Sequence, residues 1–386
     1  MGAVTGFRRW CGLRPELLSF APGRVEILGN HTDYNDGLVM SAALDRGIRL
    51  VAAPREDRRV RMASSLLGEA PEFSVRGEIE FDEKTPWTNY IKGVLAELKK
   101  AGIPLRGVDL WIDGDIPLGG GMSSSAALEV SAAHLFLALA GREMAPWDVA
   151  KLCQRAENQF VGVQCGILDQ FSSVFGKAGH LLWLDCRSLD HGTCPAGDGI
   201  EVIVANSMVH HQLNDGGYNA LRQSCERAVV HFQEKISAHT VEALRDVSFQ
   251  EWEDFREGLS LEDQQRSRHV IEEIERVDQG RKALEDGDAE QLGRLMVESH
   301  NSSRDLFKNS CRELDLLVEI ATACDGVLGA KLSGGGFGGC IVALAQSTVA
   351  ADVAGRIRER FLEETQIRPE VSRCRIGDGA AVEKDL

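Results

Sequence analysis

The sequence predicts a mixed α/β or α+β protein, and three observations carry that reading. Stretches with strand periodicity alternate with stretches of helical periodicity along the whole chain. Glycine-rich turns separate them at several points. The 386 residues, 43% hydrophobic and 26% charged, supply enough apolar material for two domains of ordinary size.

The elements follow in order. Val108 to Ile116 (VDLWIDGDI) alternates apolar and polar residues, as a half-buried strand does. PLGGGM breaks it, and SSSAALEVSAAHLFLALAG follows as a helix rich in Ala and Leu, with Ser123 or Ser124 suited to its N-cap. A second helix covers about Pro146 to Phe160. Strands are expected at His180 to Asp185 and Glu201 to Ala205. From about Gly217 to Asp286 the sequence is helical and highly charged, and those charges read as a solvated face. GAKLSGGGFGGCIVALAQ places a glycine loop before a strand at Cys340 to Ala345, with a helix from about Val349. Composition shifts near residue 190, where GTCPAGDG supplies turn residues. The expected domains are therefore 1–190 and 191–386.

Charge narrows the function. Lys plus Arg number 43 against 59 for Asp plus Glu, a net −16, which argues against a general nucleic-acid surface. No apolar run approaches a membrane span, and the first residues do not read as a signal peptide. Ten cysteines without a C-x-x-C pair suit reduced, buried thiols and a cytoplasmic location.

PLGGGMSSSAA, residues 117–127, is the strongest local signal. Glycines let a backbone approach a ligand closely, and the helix that follows offers free N–H groups to an anion. On pattern alone, a strand-to-helix turn with a serine cap remains the alternative. The lysine of the G-x-x-x-x-G-K-[ST] loop is missing. Gly334, Gly336 and Gly339 satisfy G-x-G-x-x-G, but a strand follows them where a dinucleotide fingerprint requires a helix. Two glycine loops from opposite halves of the chain suit a nucleotide site between domains.

Three segments together resemble the galactokinase branch of the GHMP small-molecule kinases: GRVEILGNHTDYNDG, PLGGGMSSSAALEV and KLSGGGFGGC. WTNYIKGV, VQCGILDQF and SHNSSRDLF extend the likeness over about residues 20 to 345. The resemblance implies an α+β fold with a ribosomal-S5-like N-terminal domain, a ferredoxin-like C-terminal domain and an active site between them. It implies ATP-dependent phosphorylation of a hexose at its C1 hydroxyl, with Mg²⁺, by a cytoplasmic monomer. The expected alternatives are a kinase for a C6- or C2-modified hexose and a non-catalytic sugar sensor.

By the same resemblance, Asp169 is the catalytic aspartate and Arg24 the arginine that accompanies it. Gly119, Gly120, Gly121, Ser123, Ser124 and Ser125 line the triphosphate, while Ser125 and Glu157 are the metal ligands. Asn30, His31, Asp33, Gly166 and Tyr218 fall to the sugar. WTNY, residues 87–90, is expected near the purine. One departure stands out: the family typically carries Asn where this chain has Glu26, and Glu where it has Asn30. The family glutamate is expected to accept a hydrogen bond from the C6 hydroxyl of the sugar. An asparagine can still accept one but brings no charge.

Overall fold

The computed structural model describes residues 2–117, 121–210, 214–384 and 386, with the backbone alone for residues 210 and 214–216. Its strands are β1 Leu17–Leu28, β2 Leu38–Arg55, β3 Arg59–Ser64, β4 Gly68–Glu69, β5 Phe73–Ser74, β6 Gly107–Gly114, β7 His180–Asp185, β8 His191–Pro195, β9 Ile200–His210, β10 Val327–Ser333, β11 Gly338–Gln346, β12 Glu370–Cys374 and β13 Ala381–Lys384.

The first sheet runs β13-β1-β2-β6-β3-β4, with β5 on β3 and the β7–β8 hairpin branching from β2. All its pairs are antiparallel except β3 with β6. The second sheet runs β10-β11-β9-β12 and is antiparallel throughout. Counted from β9, that order is second, third, first, fourth, the arrangement of a ferredoxin-like domain. The chain crosses from the first sheet to the second between Pro195 and Ile200, and β13 returns to pair with β1.

The helix Ser124–Ala140 is apolar around most of its circumference because neighbours cover it on all sides. From Ala126 to Leu139 only His134 and Ala138 escape full burial. Ser123 occupies the N-cap position but makes no side-chain cap bond, and it adopts a left-handed φ of 53°. The expected serine cap is therefore corrected: that hydroxyl is turned elsewhere. The helix Pro146–Arg155 continues into a π-helical turn, Ala156–Val161, of the kind that often marks a functional site.

Strand β1 carries two irregularities against β2, between Pro22 and Arg24 and between Glu26 and Leu28. Such bulges re-aim side chains. Here they lie beside Arg24 and Glu26. The charges between Gly217 and Asp286, expected to be mostly a solvated face, have exceptions, because the helix Leu261–Glu285 buries His269, Glu273 and Arg276. All ten cysteines are free thiols. Among the described residues, no helix is long and apolar enough to cross a membrane.

The helix Ala289–Ser302 lies directly on β10 because both contact points are glycines. A Cβ at Gly293 would sit 2.0 Å from the Leu328 carbonyl oxygen, and one at Gly329 would sit 2.1 Å from that of Gly293. Gly293→Ala must push helix and strand apart, at a cost of about 1–3 kcal/mol. We expect a lower urea midpoint for this variant. An unchanged midpoint would contradict the packing described.

Candidate active site

Asp169 lies in the first turn of the helix Leu168–Phe175, where the helix dipole favours a carboxylate. Arg24, from β1, donates to its Oδ1 through Nε at 2.7 Å and Nη2 at 2.5 Å. The same guanidinium donates through Nη1 to the Gly121 carbonyl oxygen at 3.0 Å. The other carboxylate oxygen, Oδ2, accepts the Ser123 hydroxyl at 2.5 Å, which is where the missing cap bond has gone. Gly23 makes this junction possible, since a Cβ there would meet the Met122 carbonyl oxygen at 2.4 Å. Gly121 in turn packs on Cys340 of the second sheet. Gly119 and Gly120 lie outside the described residues.

Glu157 projects from the π-helical turn and is buried. Its Oε2 accepts from the Gln170 amide at 2.7 Å and the Cys165 thiol at 3.2 Å, and Ser125 also hydrogen-bonds the carboxylate. Burial, and then the nearby Asp169 charge, push its pKa up against these hydrogen bonds. Taken as bare sequence, a glutamate on a helix is a solvated carboxylate by default. This one is not. Gln170 also reaches Glu129 Oε2, at 3.2 Å, and burial followed by the Glu157 charge holds the Glu129 carboxyl well above its ordinary range. Sequence reasoning missed both Gln170 and Glu129, although each sits inside a quoted motif.

A cavity of about 600 Å³ brings together Arg24, Asn30, His31, Asp33, Gly166, Asp169 and Tyr218, and adds Glu26 and Arg222. Gly166 is required as glycine: a Cβ there would stand 2.1 Å from Asp33 Oδ2. Burial, and the charges of Glu26 and Asp169, raise the Asp33 carboxyl to about 6. His31 is neutral, pushed down to about 3 by burial and by His269. Its Nε2 faces the Gly335 carbonyl oxygen at 3.3 Å and so carries the proton, which makes Nδ1 the acceptor for the Tyr34 hydroxyl at 2.9 Å. The Tyr218 ring lies tilted 5.3 Å from His31 and edge-on 6.0 Å from Tyr34, and the residue lines the cavity.

Asn30 is held on every side. Its amide nitrogen donates to Glu26 Oε1 at 3.1 Å and to the Gly334 carbonyl oxygen at 2.9 Å. Its amide oxygen accepts from Asn309 at 2.9 Å and from Ser303 at 3.4 Å. Below it, Glu273 Oε1 accepts the backbone N–H groups of Gly29 and Asn30 and the Ser299 hydroxyl, while Arg276 binds Oε2 at 2.7 Å. Glu273 therefore fixes the loop that carries Asn30, His31 and Asp33.

A second, smaller cavity of about 210 Å³ is walled by Ile48, Leu66, Leu67, Trp87, Tyr90, Ile112 and Leu128, with Ser124 and Ser125 at its edge. Leu66 and Leu67 are exposed apolar side chains at its mouth.

Comparison with known proteins agrees with this geometry. The chain matches the galactokinase galactose-binding signature over residues 5–54, the GHMP kinases N terminal domain over 89–177 and the GHMP kinases C terminal domain over 281–363. It is 42% identical to a galactokinase of Chloroflexus aggregans, with 90% of each chain covered. It is 41% identical to the galactokinase of Homo sapiens, covering 93% of this chain and 91% of that one. The crystal structure of Lactococcus lactis galactokinase complexed with galactose superposes with a TM-score of 0.90 at 30% identity, over 98% of each chain. Methanococcus jannaschii mevalonate kinase shares the fold, with a TM-score of 0.66 at 17% identity over 94% of this chain and 98% of that one. On its sequence and its fold, the chain belongs to the galactokinase family of the GHMP kinases.

Proposed function

We propose that this chain transfers the γ-phosphoryl group of ATP to the C1 hydroxyl of galactose. It is a sugar 1-kinase by family, and the galactokinases it resembles at about 40% identity support galactose as the acceptor. The observation that carries the site assignment is Asp169, clamped by Arg24 and Ser123 between the cavity and the N-terminus of the helix Ser124–Ala140.

Phosphoryl transfer depends on positioning and charge neutralisation more than on covalent help. The sugar hydroxyl replaces Ser123 on Asp169 Oδ2. As it attacks, the O1–P bond forms, the bond from the γ-phosphorus to the β-phosphate bridging oxygen breaks, and the hydroxyl proton passes to Asp169. Arg24 offsets the charge that builds up. Gly119, Gly120, Gly121, Ser123, Ser124 and Ser125 are assigned to the triphosphate, with free N–H groups of the helix facing the anion. The small cavity beside them takes the adenine, stacked among Trp87, Tyr90, Leu66 and Leu67. Ser125 and Glu157 fit Mg²⁺, since hydroxyl and carboxylate are hard oxygen donors. Burial, with the charges of Glu157 and Asp169, raises the Glu129 carboxyl, and burial with the Asp169 charge raises that of Glu157, where a cation is the natural complement. When bound, the ion neutralises charge across the β- and γ-phosphates. Asp33, His31, Gly166 and Tyr218 are assigned to the sugar. Joining Asp169, Arg24 and Glu157 in one cleft favours turnover over a sensor, and the same reading takes a monomer acting in the cytoplasm.

Coupled ADP release with a panel of hexoses tests this. Galactose should be the preferred acceptor, and Asp169→Ala should lose about a thousandfold or more in kcat. Full turnover in that variant would remove Asp169 from the mechanism.

A second outcome follows from Asp33. Its carboxyl is raised in the folded protein from 3.8 to about 6, so the neutral form favours folding. That contribution is complete below pH ~4 and is lost as pH rises through about 6. Asp33→Asn keeps the group neutral, and should stabilise the unliganded protein at pH 8 by on the order of 2 kcal/mol. The gain should fade to nothing near pH 4. Equal denaturation midpoints for both proteins at pH 8 would contradict the strained carboxylate described.

A further inference from the structure

We infer that Glu26, not Asn30, is the residue that selects the substituent at the hydroxymethyl end of the sugar, and that its carboxylate makes the site one for neutral hexoses and hostile to uronic acids. The inference rests on the galactose reading above and specifies one end of that same site.

Glu26 lines the cavity with 7% of its surface exposed. One oxygen, Oε1, is fully committed: it accepts Lys331 Nζ at 2.7 Å and the Asn30 amide at 3.1 Å. Lys331 comes from β10 of the other sheet and has no exposed surface at all. Among the described residues no hydrogen bond reaches Oε2, and Glu26 is one of the residues that line the cavity. Asn30 offers nothing comparable, because both its hydrogens and its oxygen are bound by protein groups.

Position along the strand adds the orientation. Glu26 follows Arg24 by two residues on β1, which places the two on one face about 7 Å apart. Arg24 marks the reacting C1 end, so Glu26 stands across a hexose ring from it. A hydroxymethyl group there donates a hydrogen bond to Oε2. A carboxylate there meets Glu26 head-on, with Asp33 close behind, and Lys331 already neutralised by Glu26.

The exchange of Glu and Asn between positions 26 and 30 then has a physical logic. The two side chains touch, and the buried Lys331 pairs with a carboxylate at whichever position holds it. Exchanging both residues preserves one carboxylate and one amide. Changing Glu26 alone leaves Lys331 buried without its partner, while changing Asn30 alone crowds two carboxylates onto one lysine.

Steady-state kinetics on the full-length protein with ATP and Mg²⁺ decide the matter, using galactose, 6-deoxygalactose and galacturonate. In the native enzyme kcat/KM should fall by about 100-fold for 6-deoxygalactose and about 1000-fold for galacturonate, because a buried acceptor left unpaired, or facing a like charge, discriminates strongly. Glu26→Gln should compress the galactose-to-galacturonate ratio by about tenfold or more. Glu26→Asn with Asn30→Glu should return to within about tenfold of native on galactose, although each single change loses about 100-fold. Should Glu26→Gln not fold, the paired exchange decides instead. The inference is overturned if 6-deoxygalactose is used within about threefold of galactose, if Glu26→Gln leaves the ratios unmoved, or if the paired exchange is as impaired as the single ones. Absence of turnover on galactose alongside turnover on another sugar would instead overturn the galactose reading itself.

Discussion

A buried ion pair, Lys331 Nζ to Glu26 Oε1 at 2.7 Å, joins the second sheet to the strand that floors the first. Much of the cavity wall is built from that strand and the loop that follows it. Arg24 and Glu26 line the cavity from it, Gly23 lets it press on Met122, and the loop after it carries Asn30, His31 and Asp33. Removing one partner of a buried pair leaves an uncompensated charge, commonly at a cost of about 3–5 kcal/mol. The two sheets are therefore held in register by a charge that also lines the cavity.

Electrostatics then sort the acidic groups by task. Asp169 has a guanidinium on one oxygen and a hydroxyl on the other, a geometry suited to exchanging that hydroxyl for a substrate's. Among the described residues no cation pairs with Asp33, and burial with two neighbouring carboxylates raises it to about 6. Glu157 and Glu129 share one amide donor, Gln170, and among the described residues neither forms an ion pair. Each departure from ordinary carboxylate behaviour is thus traceable to what does or does not lie beside it.

Much of this was legible in the sequence. The apolar alternation of β6, the Ala- and Leu-rich helix after the serines, and the glycine loop before β11 all left periodic or compositional marks. The family resemblance as a whole, not the three motifs alone, implied site roles for Arg24, Asp169, Glu157 and the sugar loop. What escaped notice depended on partners far along the chain. Glu273 and Arg276 look like solvated helix charges because nothing local says that Gly29 and Asn30 will close over them. Strand β10 merged into its glycine loop, so the buried Lys331 went unnoticed. Ser123 carried a sound capping signal, but Asp169 competes for its hydroxyl and wins.

The most direct test of the account is a crystal structure with galactose, Mg²⁺ and a non-hydrolysable ATP analogue. The sugar's C1 oxygen should lie within about 3 Å of Asp169 Oδ2, in the place of the Ser123 hydroxyl, with the γ-phosphate at the start of the helix Ser124–Ala140. A sugar bound with another hydroxyl on Asp169, or with the Ser123 contact still intact in the ternary complex, would contradict it.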